Sequence, residues 1–473
     1  MHSIKFGTSG WRGIFCDDFT LENVRVVSQA IADYLRESGE HERGVVVGYD
    51  TRFMGRYFAR ETVRVLAAAG IKSYLCNRDT PSPVIAHEIL RRKACGGINF
   101  TASHNPYDYN GLKFSLASGG PALPEITHDL EGRANAMLGE VCFKEMPMDQ
   151  AYAAGLVEDI DPRPHYLEGL GKLVDFQAIA ASGMTVAVNA LHGAGRDYLD
   201  AVLADAGVKV VSVNNHPDPY FGGAAPEPCA SRLGDFIELV KSSPEMALGL
   251  ATDGDADRYG IIDADGTFIE PNDILPLLLD YLIRVKGQAG DVVRSVATSH
   301  FVDAVARHHG RRVYETPVGF KHIGPYVSAK QVLLGGEESA GLTIRGHVPD
   351  KDGILACLLV AEMVAVQGRT LKEQLVDLGR RVGEVYHRRD NIRLCAEVES
   401  GYAAKLATPP TQVEGRRVVG TVAIDGVKFL LEDGSWVLFR RSVTEPLVRV
   451  YCESTSPAGA ERLVKWANGF LTE

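Results

Sequence analysis

Five short segments of this 473-residue chain carry side chains whose types and spacing could do chemistry. The segment 101–113, TASHNPYDYNGLK, sets the hydroxyl of Ser103 beside the imidazole of His104, in a loop punctuated by Asn105-Pro106 and Asn110-Gly111. Such turns hold a side chain at a fixed angle, which makes Ser103 a candidate nucleophile; a polar turn between strands is the plainer alternative. The segment 252–258, TDGDADR, spaces Asp253, Asp255 and Asp257 two residues apart. In an extended loop these carboxylates project to one side and repel unless a cation lies among them; an all-oxygen set suits Mg²⁺, Ca²⁺ or Mn²⁺. An EF-hand needs Gly at its sixth position and Glu at its twelfth, where this chain has Arg258 and Ala264, so that reading fails. A solvated acidic turn remains the alternative.

Three weaker segments complete the set. GGEESAG (335–341) puts Glu337, Glu338 and Ser339 on a glycine-flanked loop suited to hydrogen bonding a polyol, although a surface turn has the same composition. RRSVTEP (440–446) groups guanidinium and hydroxyl donors as an anion cradle, or else a charged hairpin end. FGTSGWRG (6–13) is a glycine-rich loop with one arginine, Arg12, a weak signal alone. A hydroxyl nucleophile, an oxygen-ligand metal site, a polyol loop and an anion cradle together point to phosphoryl transfer on a sugar phosphate.

Elements to position these loops are legible as an alternation of strand and helix. Leu21–Glu37 has apolar residues at helical spacing after Thr20, a good N-cap. A β-branched run at 44–48, a helix over 57–69 stopping at Gly70 and a strand at 71–76 follow, which is βαβ rhythm. The rhythm restarts near 184 and again after 258, giving three α/β units of similar size. From about 383 the pattern changes to several β runs and a closing amphipathic helix over 458–471, an α+β unit. Ligands of such folds bind at the carboxyl ends of strands, often between domains.

Composition sets the outer bounds. A chain this long predicts about three or four domains. Lys and Arg number 50 and Asp and Glu 61, a net charge of −11, which disfavours nucleic acid and anionic membrane as partners. The apolar run 354–366 is interrupted by Glu362 and falls short of the roughly 20 residues of a membrane helix. The start lacks a charged region followed by an apolar one, so no signal peptide is read and a cytoplasmic protein is expected. None of the eight cysteines forms a CxxC pair; free thiols in a reducing compartment are expected.

TASHNP with YNGxK, DGDADR, GGEES and RxSxTEP, in this order, resemble the α-D-phosphohexomutase superfamily (phosphoglucomutase/phosphomannomutase). The likeness spans essentially the whole chain, FGTSGWRG and Pro226-Glu227-Pro228 included. It implies four domains around a central cleft: three related α/β mixed-sheet domains at 1–145, 146–257 and 258–380, and a smaller α+β domain at 381–473. It implies that Ser103 carries the transferable phosphoryl group and that Mg²⁺ is held by Asp253, Asp255, Asp257 and an oxygen of the phosphoserine. The ligand would be a sugar phosphate, with a hexose 1,6-bisphosphate as intermediate and activator, and the protein a monomer or homodimer.

By the same resemblance Arg12 and Arg258 lie near the reacting phosphate, and His104 holds or polarises the serine. Lys113 matches the position that helps deprotonate the attacking sugar hydroxyl, for which a cationic surrounding would lower its pKa. Glu337 and Ser339 match the sugar-reading loop, with Gly319, Lys321 and His322 in TPVGFKH (316–322), and Lys351, in neighbouring substrate segments. Arg440, Ser442 and Thr444 match the grip on the non-reacting phosphate. Three positions depart from relatives: Asn189 for a common Asp, Ala340-Gly341 where dual-specificity relatives have Gly-His, and Val443 for a loop glycine. The second favours glucose phosphates as substrates, with mannose or glucosamine phosphates as alternatives. A non-catalytic sugar-phosphate-binding homologue is a further alternative, weakened because Ser103, the three aspartates, Lys113 and Arg258 are all present.

Overall fold

The computed structural model describes residues 3–7, 9–139, 143–442 and 446–472, arranged about four sheets. The first runs Phe6–Gly7, Gly10–Ile14, Tyr109–Leu116, Gly96–Phe100, Val45–Tyr49, Ser73–Cys76, Val157–Ile160 in spatial order. Its last four strands are mutually parallel, whereas Tyr109–Leu116 runs antiparallel to its neighbours on both sides, Gly96–Phe100 and Gly10–Ile14, and Phe6–Gly7 closes an antiparallel hairpin with Gly10–Ile14. Leu21–Glu37 forms as read from its spacing, and the Thr20 side chain accepts the Asn23 N–H. The second sheet orders Phe268–Ile269, Tyr259–Asp263, Met246–Thr252, Thr185–Asn189, Lys209–Val213, and the third Val313–Thr316, Asp291–Ser295, Val332–Glu337, Gly341–Ile344. The fourth is antiparallel, six strands between Tyr386 and Ser454, and the helix Pro457–Thr472 packs on it. Three mixed α/β sheets and a final α+β unit agree with the expected fold class.

Sheet membership differs from the expected boundaries. Val157–Ile160 pairs with Ser73–Cys76, so the first sheet reaches past 145. Tyr259–Asp263, expected to open the third unit, pairs antiparallel with Met246–Thr252 and belongs to the second sheet. The acidic segment 253–258 is therefore the tip of a hairpin and not a link between domains. Periodicity cannot distinguish a strand that returns antiparallel from one that starts a new sheet.

The second and third sheets share one core built around the helix Gly353–Gln367, which is apolar on nearly all sides. Its Glu362 is buried but satisfied, accepting from the Tyr281 hydroxyl (2.8 Å), the Lys286 ammonium (2.6 Å) and the Asp175 N–H (3.1 Å). No single helix among the described residues is long and apolar enough to cross a membrane. Val296 and Ala297 of the third domain pack with Trp436, Leu438 and Tyr451, docking the fourth sheet on the third. The loops at 101–108, 253–258 and 317–319 each leave the carboxyl end of a strand, and Glu337 is the last residue of its own.

Candidate active site

The backbone of Ser103 lies in the left-handed region (φ 53°), unusual for a residue with a side chain. The strain is held by bonds on both sides. Its N–H donates to Thr101 Oγ1 (2.8 Å), and its carbonyl accepts from Arg52 Nη2 (2.7 Å). Arg52 also donates to the carbonyls of Asn105 (2.6 Å), Pro106 (2.6 Å) and Tyr109 (2.9 Å), and pairs through Nε with buried Asp50 (3.2 Å). One guanidinium thus fastens four carbonyls of the serine loop. Strain over-determined in this way marks a functional position.

The Ser103 hydroxyl donates to Asp253 Oδ2 (2.7 Å), and His104 Nδ1 lies 3.5 Å from Oγ. Burial, then the neighbouring Arg258 and Arg12, hold the imidazole well below its ordinary pKa, so it is neutral. Arg12 reaches the loop from the adjoining strand, where it faces Gly111, and donates to Asn105 Oδ1. Burial and the charge of Arg258 lower its pKa to about 10. The two loops meet without room to spare: a Cβ on Gly254 would lie 2.6 Å from the Ser103 carbonyl. Only glycine allows that approach.

Asp253, Asp255 and Asp257 are buried and offer carboxylate oxygens all within 4.8 Å of one another. Lys113 Nζ donates to Asp255 Oδ2 (2.5 Å) and Asp257 Oδ2 (2.7 Å), and Lys351 Nζ pairs with Asp257 Oδ2 (3.0 Å). Ser82 Oγ donates to Asp255 Oδ2 (2.5 Å) and the Arg258 N–H to Asp253 Oδ1 (3.0 Å). Asp255 Oδ1 and Asp257 Oδ1 are buried without a hydrogen-bond partner among the described residues, although Arg258 Nε lies 3.9 Å from Asp257 Oδ1. Burial and the two other aspartates push the Asp253 carboxyl well up; for Asp257 burial is outweighed by Lys113, Lys351 and Arg258, which hold it well down. Buried carboxylate oxygens that lack a hydrogen bond, in an all-oxygen cluster, fit a hard divalent cation.

Lys113 departs from expectation. Burial works to lower its pKa, but Asp255 and Asp257 more than offset this and raise it, because the surrounding is anionic. These contacts favour its charged form. Lys351, expected among the substrate ligands, likewise spends its ammonium on Asp257.

Glu337 accepts the Gly319 N–H (2.6 Å). Burial, then Glu338, lifts its pKa to about 7, while Lys351 and Arg258 oppose the rise, so the 337–341 loop stands close to the aspartate cluster. Ser339 sits half-buried in the following turn. Lys321 and His322 form the first turn of Phe320–Ser328, whose N-cap is Gly319 (φ 123°). Arg440 and Ser442 are buried at the end of Trp436–Arg441, and Arg440 Nε donates to Asp425 (2.7 Å). Thr444 and Val443 lie outside the described residues. Asn189 accepts from the Leu191 N–H (2.9 Å) and Asn214 Nδ2 (3.2 Å), bonds that order the strand end.

Sequence reasoning missed Asp50, Arg52, Ser82 and Asp425. The first two directly follow the strand Val45–Tyr49, and that position alone could have flagged them. Arg52→Lys keeps a charge beside Asp50 but cannot reach four carbonyls. We expect turnover to fall about a hundredfold, the cost of misplacing a reacting group by about 1 Å. Steady-state kinetics beside an unchanged circular dichroism spectrum check this.

Four family models match in order: phosphoglucomutase/phosphomannomutase α/β/α domain I over residues 3–138, domain II over 164–266, domain III over 270–381 and the C-terminal domain over 384–466. A phosphoglucomutase/phosphomannomutase of Thermococcus kodakarensis is 31% identical, covering 99% of this chain and 98% of its own. A phosphoglucomutase of Komagataeibacter xylinus is 31% identical (96% and 88% covered), and a probable phosphoglucosamine mutase of Methanothermobacter thermautotrophicus 29% (98% and 97%). The crystal structure of a putative phosphomannomutase from Thermus thermophilus superposes with a TM-score of 0.86 at 33% identity, covering all of both chains.

Proposed function

The chain belongs to the phosphoglucomutase/phosphomannomutase family and is a hexose-phosphate mutase; from that premise we propose that it interconverts glucose 1-phosphate and glucose 6-phosphate, with Ser103 as phosphoryl carrier. The observation that carries this reading is the Ser103 hydroxyl, 2.7 Å from Asp253 Oδ2, on a loop whose backbone Arg52 fastens at four carbonyls.

In the first transfer the bond from phosphorus to Ser103 Oγ breaks and one to a sugar hydroxyl forms, while the hydroxyl proton passes to Oγ. The product is a hexose 1,6-bisphosphate. After it turns, its other phosphoryl group returns to Oγ by the reverse steps. Added bisphosphate serves as activator by rephosphorylating Ser103. Such transfer is mainly positioning and charge neutralisation. Asp253, Asp255 and Asp257 would hold Mg²⁺, which supplies positive charge to the serine-bound phosphoryl group. Arg12 and Arg258 line the same corner as permanent cations, and neutral His104 stands beside them with Nδ1 3.5 Å from Ser103 Oγ. Lys113 and Lys351 neutralise Asp255 and Asp257 and fix their orientation. Glu337 and Ser339 read sugar hydroxyls, Lys321 and His322 flank them, and Arg440, Ser442 and Thr444 grip the far phosphate.

The sugar preference rests on Glu337-Glu338-Ser339-Ala340, which places no histidine in the sugar loop, and is in keeping with the Komagataeibacter relative. Relatives named for glucosamine phosphate are nearly as similar, so kcat/KM for glucose, mannose and glucosamine phosphates is the deciding measurement. Glucose phosphates are expected to lead; a higher value for either other sugar overturns the assignment. Arg440→Ala tests the far-phosphate grip. A charge-assisted contact is worth about 1.5–3 kcal/mol, so KM should rise about 10- to 100-fold and more bisphosphate should escape per turnover.

A further inference from the structure

Asp425 occupies the tight turn between Arg416–Val422 and Val427–Leu431, and Arg440 lies on the next strand, Trp436–Arg441. Val427 pairs with Phe439, which sets Asp425 and Arg440 side by side at one end of that ladder. Gly426 (φ 81°) lets the turn lie against the strand, since a Cβ there would meet the Phe439 carbonyl at 2.2 Å. The partners are thus fixed by backbone geometry before any side chain is considered.

Asp425 Oδ2 accepts twice: from Arg440 Nε (2.7 Å) and, across the domain junction, from the backbone N–H of Val318 (3.1 Å). The first contact is made through the Nε edge of the guanidinium. The next residue along, Gly319, gives its N–H to Glu337 (2.6 Å). Successive amides of one short loop therefore end on two carboxylates, one from the tail and one from the sugar loop. The charge of Asp425 also reaches Lys321 and His322 in the helical turn that follows.

We propose that Asp425 is a positioning residue that ties the anion-binding arginine of the tail to the sugar loop of the third domain. It aims Arg440 by its Nε edge and, through Val318-Gly319, sets where that arginine stands relative to Glu337. The spacing between the far phosphate and the sugar ring is then held by three hydrogen bonds within the protein, and a bisphosphate turning in the cleft meets both grips in register. The inference rests on the reading of Arg440 and Glu337 as ligand residues.

Asp425→Asn keeps the shape and removes the charge. KM for glucose 1-phosphate is expected to rise about tenfold, as a charge-assisted bond becomes a neutral one, with a smaller change in kcat and more bisphosphate released per turnover. Asp425→Glu retains the charge and should recover part of that KM, which a role in packing alone would not produce. In a cycle with Arg440→Ala, Asp425→Asn should add little, because it acts through the arginine. Melting temperatures of all four proteins separate binding effects from unfolding. If Arg440→Ala raises KM and releases bisphosphate but Asp425→Asn does neither, or if the two effects simply add, the proposal fails while the underlying reading stands. If Arg440→Ala itself changes neither quantity, that reading fails and takes the proposal with it.

Discussion

Replacement of Ser103 by alanine is expected to abolish mutase turnover, by about 10⁴-fold or more, while leaving the fold intact. The hydroxyl donates a normal hydrogen bond to Asp253, with His104 at the limit of contact. Its loss leaves a buried acceptor short of one donor, a cost of about 1–3 kcal/mol, and the Asp253 carboxyl is already pushed toward its protonated form by burial and its neighbours. The loop itself is held through the Ser103 backbone, whose carbonyl accepts from Arg52 and whose N–H donates to Thr101 Oγ1, and alanine does not disturb these bonds. Activity should therefore vanish without unfolding. The companion measurement is intact mass: wild-type protein incubated with glucose 1,6-bisphosphate should carry a phosphate-sized adduct on the peptide containing Ser103, and the alanine variant none. Full activity in that variant would refute the assignment.

How much of this was legible depended on whether a residue's neighbours in space are also its neighbours in sequence. The three aspartates are two residues apart, so their cluster could be read directly, and the helix Leu21–Glu37 follows from local spacing and its cap. The return strand Tyr259–Asp263 could not be placed, because its pairing with Met246–Thr252 is a tertiary fact. The anionic environment of Lys113 arises where a strand of the first sheet meets a hairpin tip of the second, over 140 residues away in sequence. That contact reversed the expected direction of its pKa shift. Arg52 offered only its place after a strand end, for a related reason: its role is to hold carbonyls, and backbone acceptors leave no residue signature.

Chelation is expected to remove activity as completely as loss of the serine, and Mg²⁺ to restore it. The argument is one of charge. Three buried carboxylates converge within 4.8 Å. Lys113 and Lys351 answer Asp255 and Asp257, while Asp253 has no ammonium and its carboxyl is driven well up by burial and the other two aspartates. Phosphorylation of Ser103, whose oxygen already contacts Asp253, would add about −1.5 to −2 charges at that corner. The protein cations near by do not balance such an addition, and the oxygens of Asp255 and Asp257 that lack a hydrogen bond are in place to ligate. A readout independent of turnover follows from linkage: a ligand at 100 times its Kd stabilises the state that binds it by about 2.7 kcal/mol, so Mg²⁺ should raise the melting temperature of the unphosphorylated protein. Asp255→Asn removes one charge and a donor oxygen and should shift that titration to higher Mg²⁺ by about tenfold or more, with activity following. Undiminished turnover in excess chelator, together with a melting temperature indifferent to Mg²⁺, would show that the two lysines alone balance the cluster and that 253–257 is a structural hairpin tip.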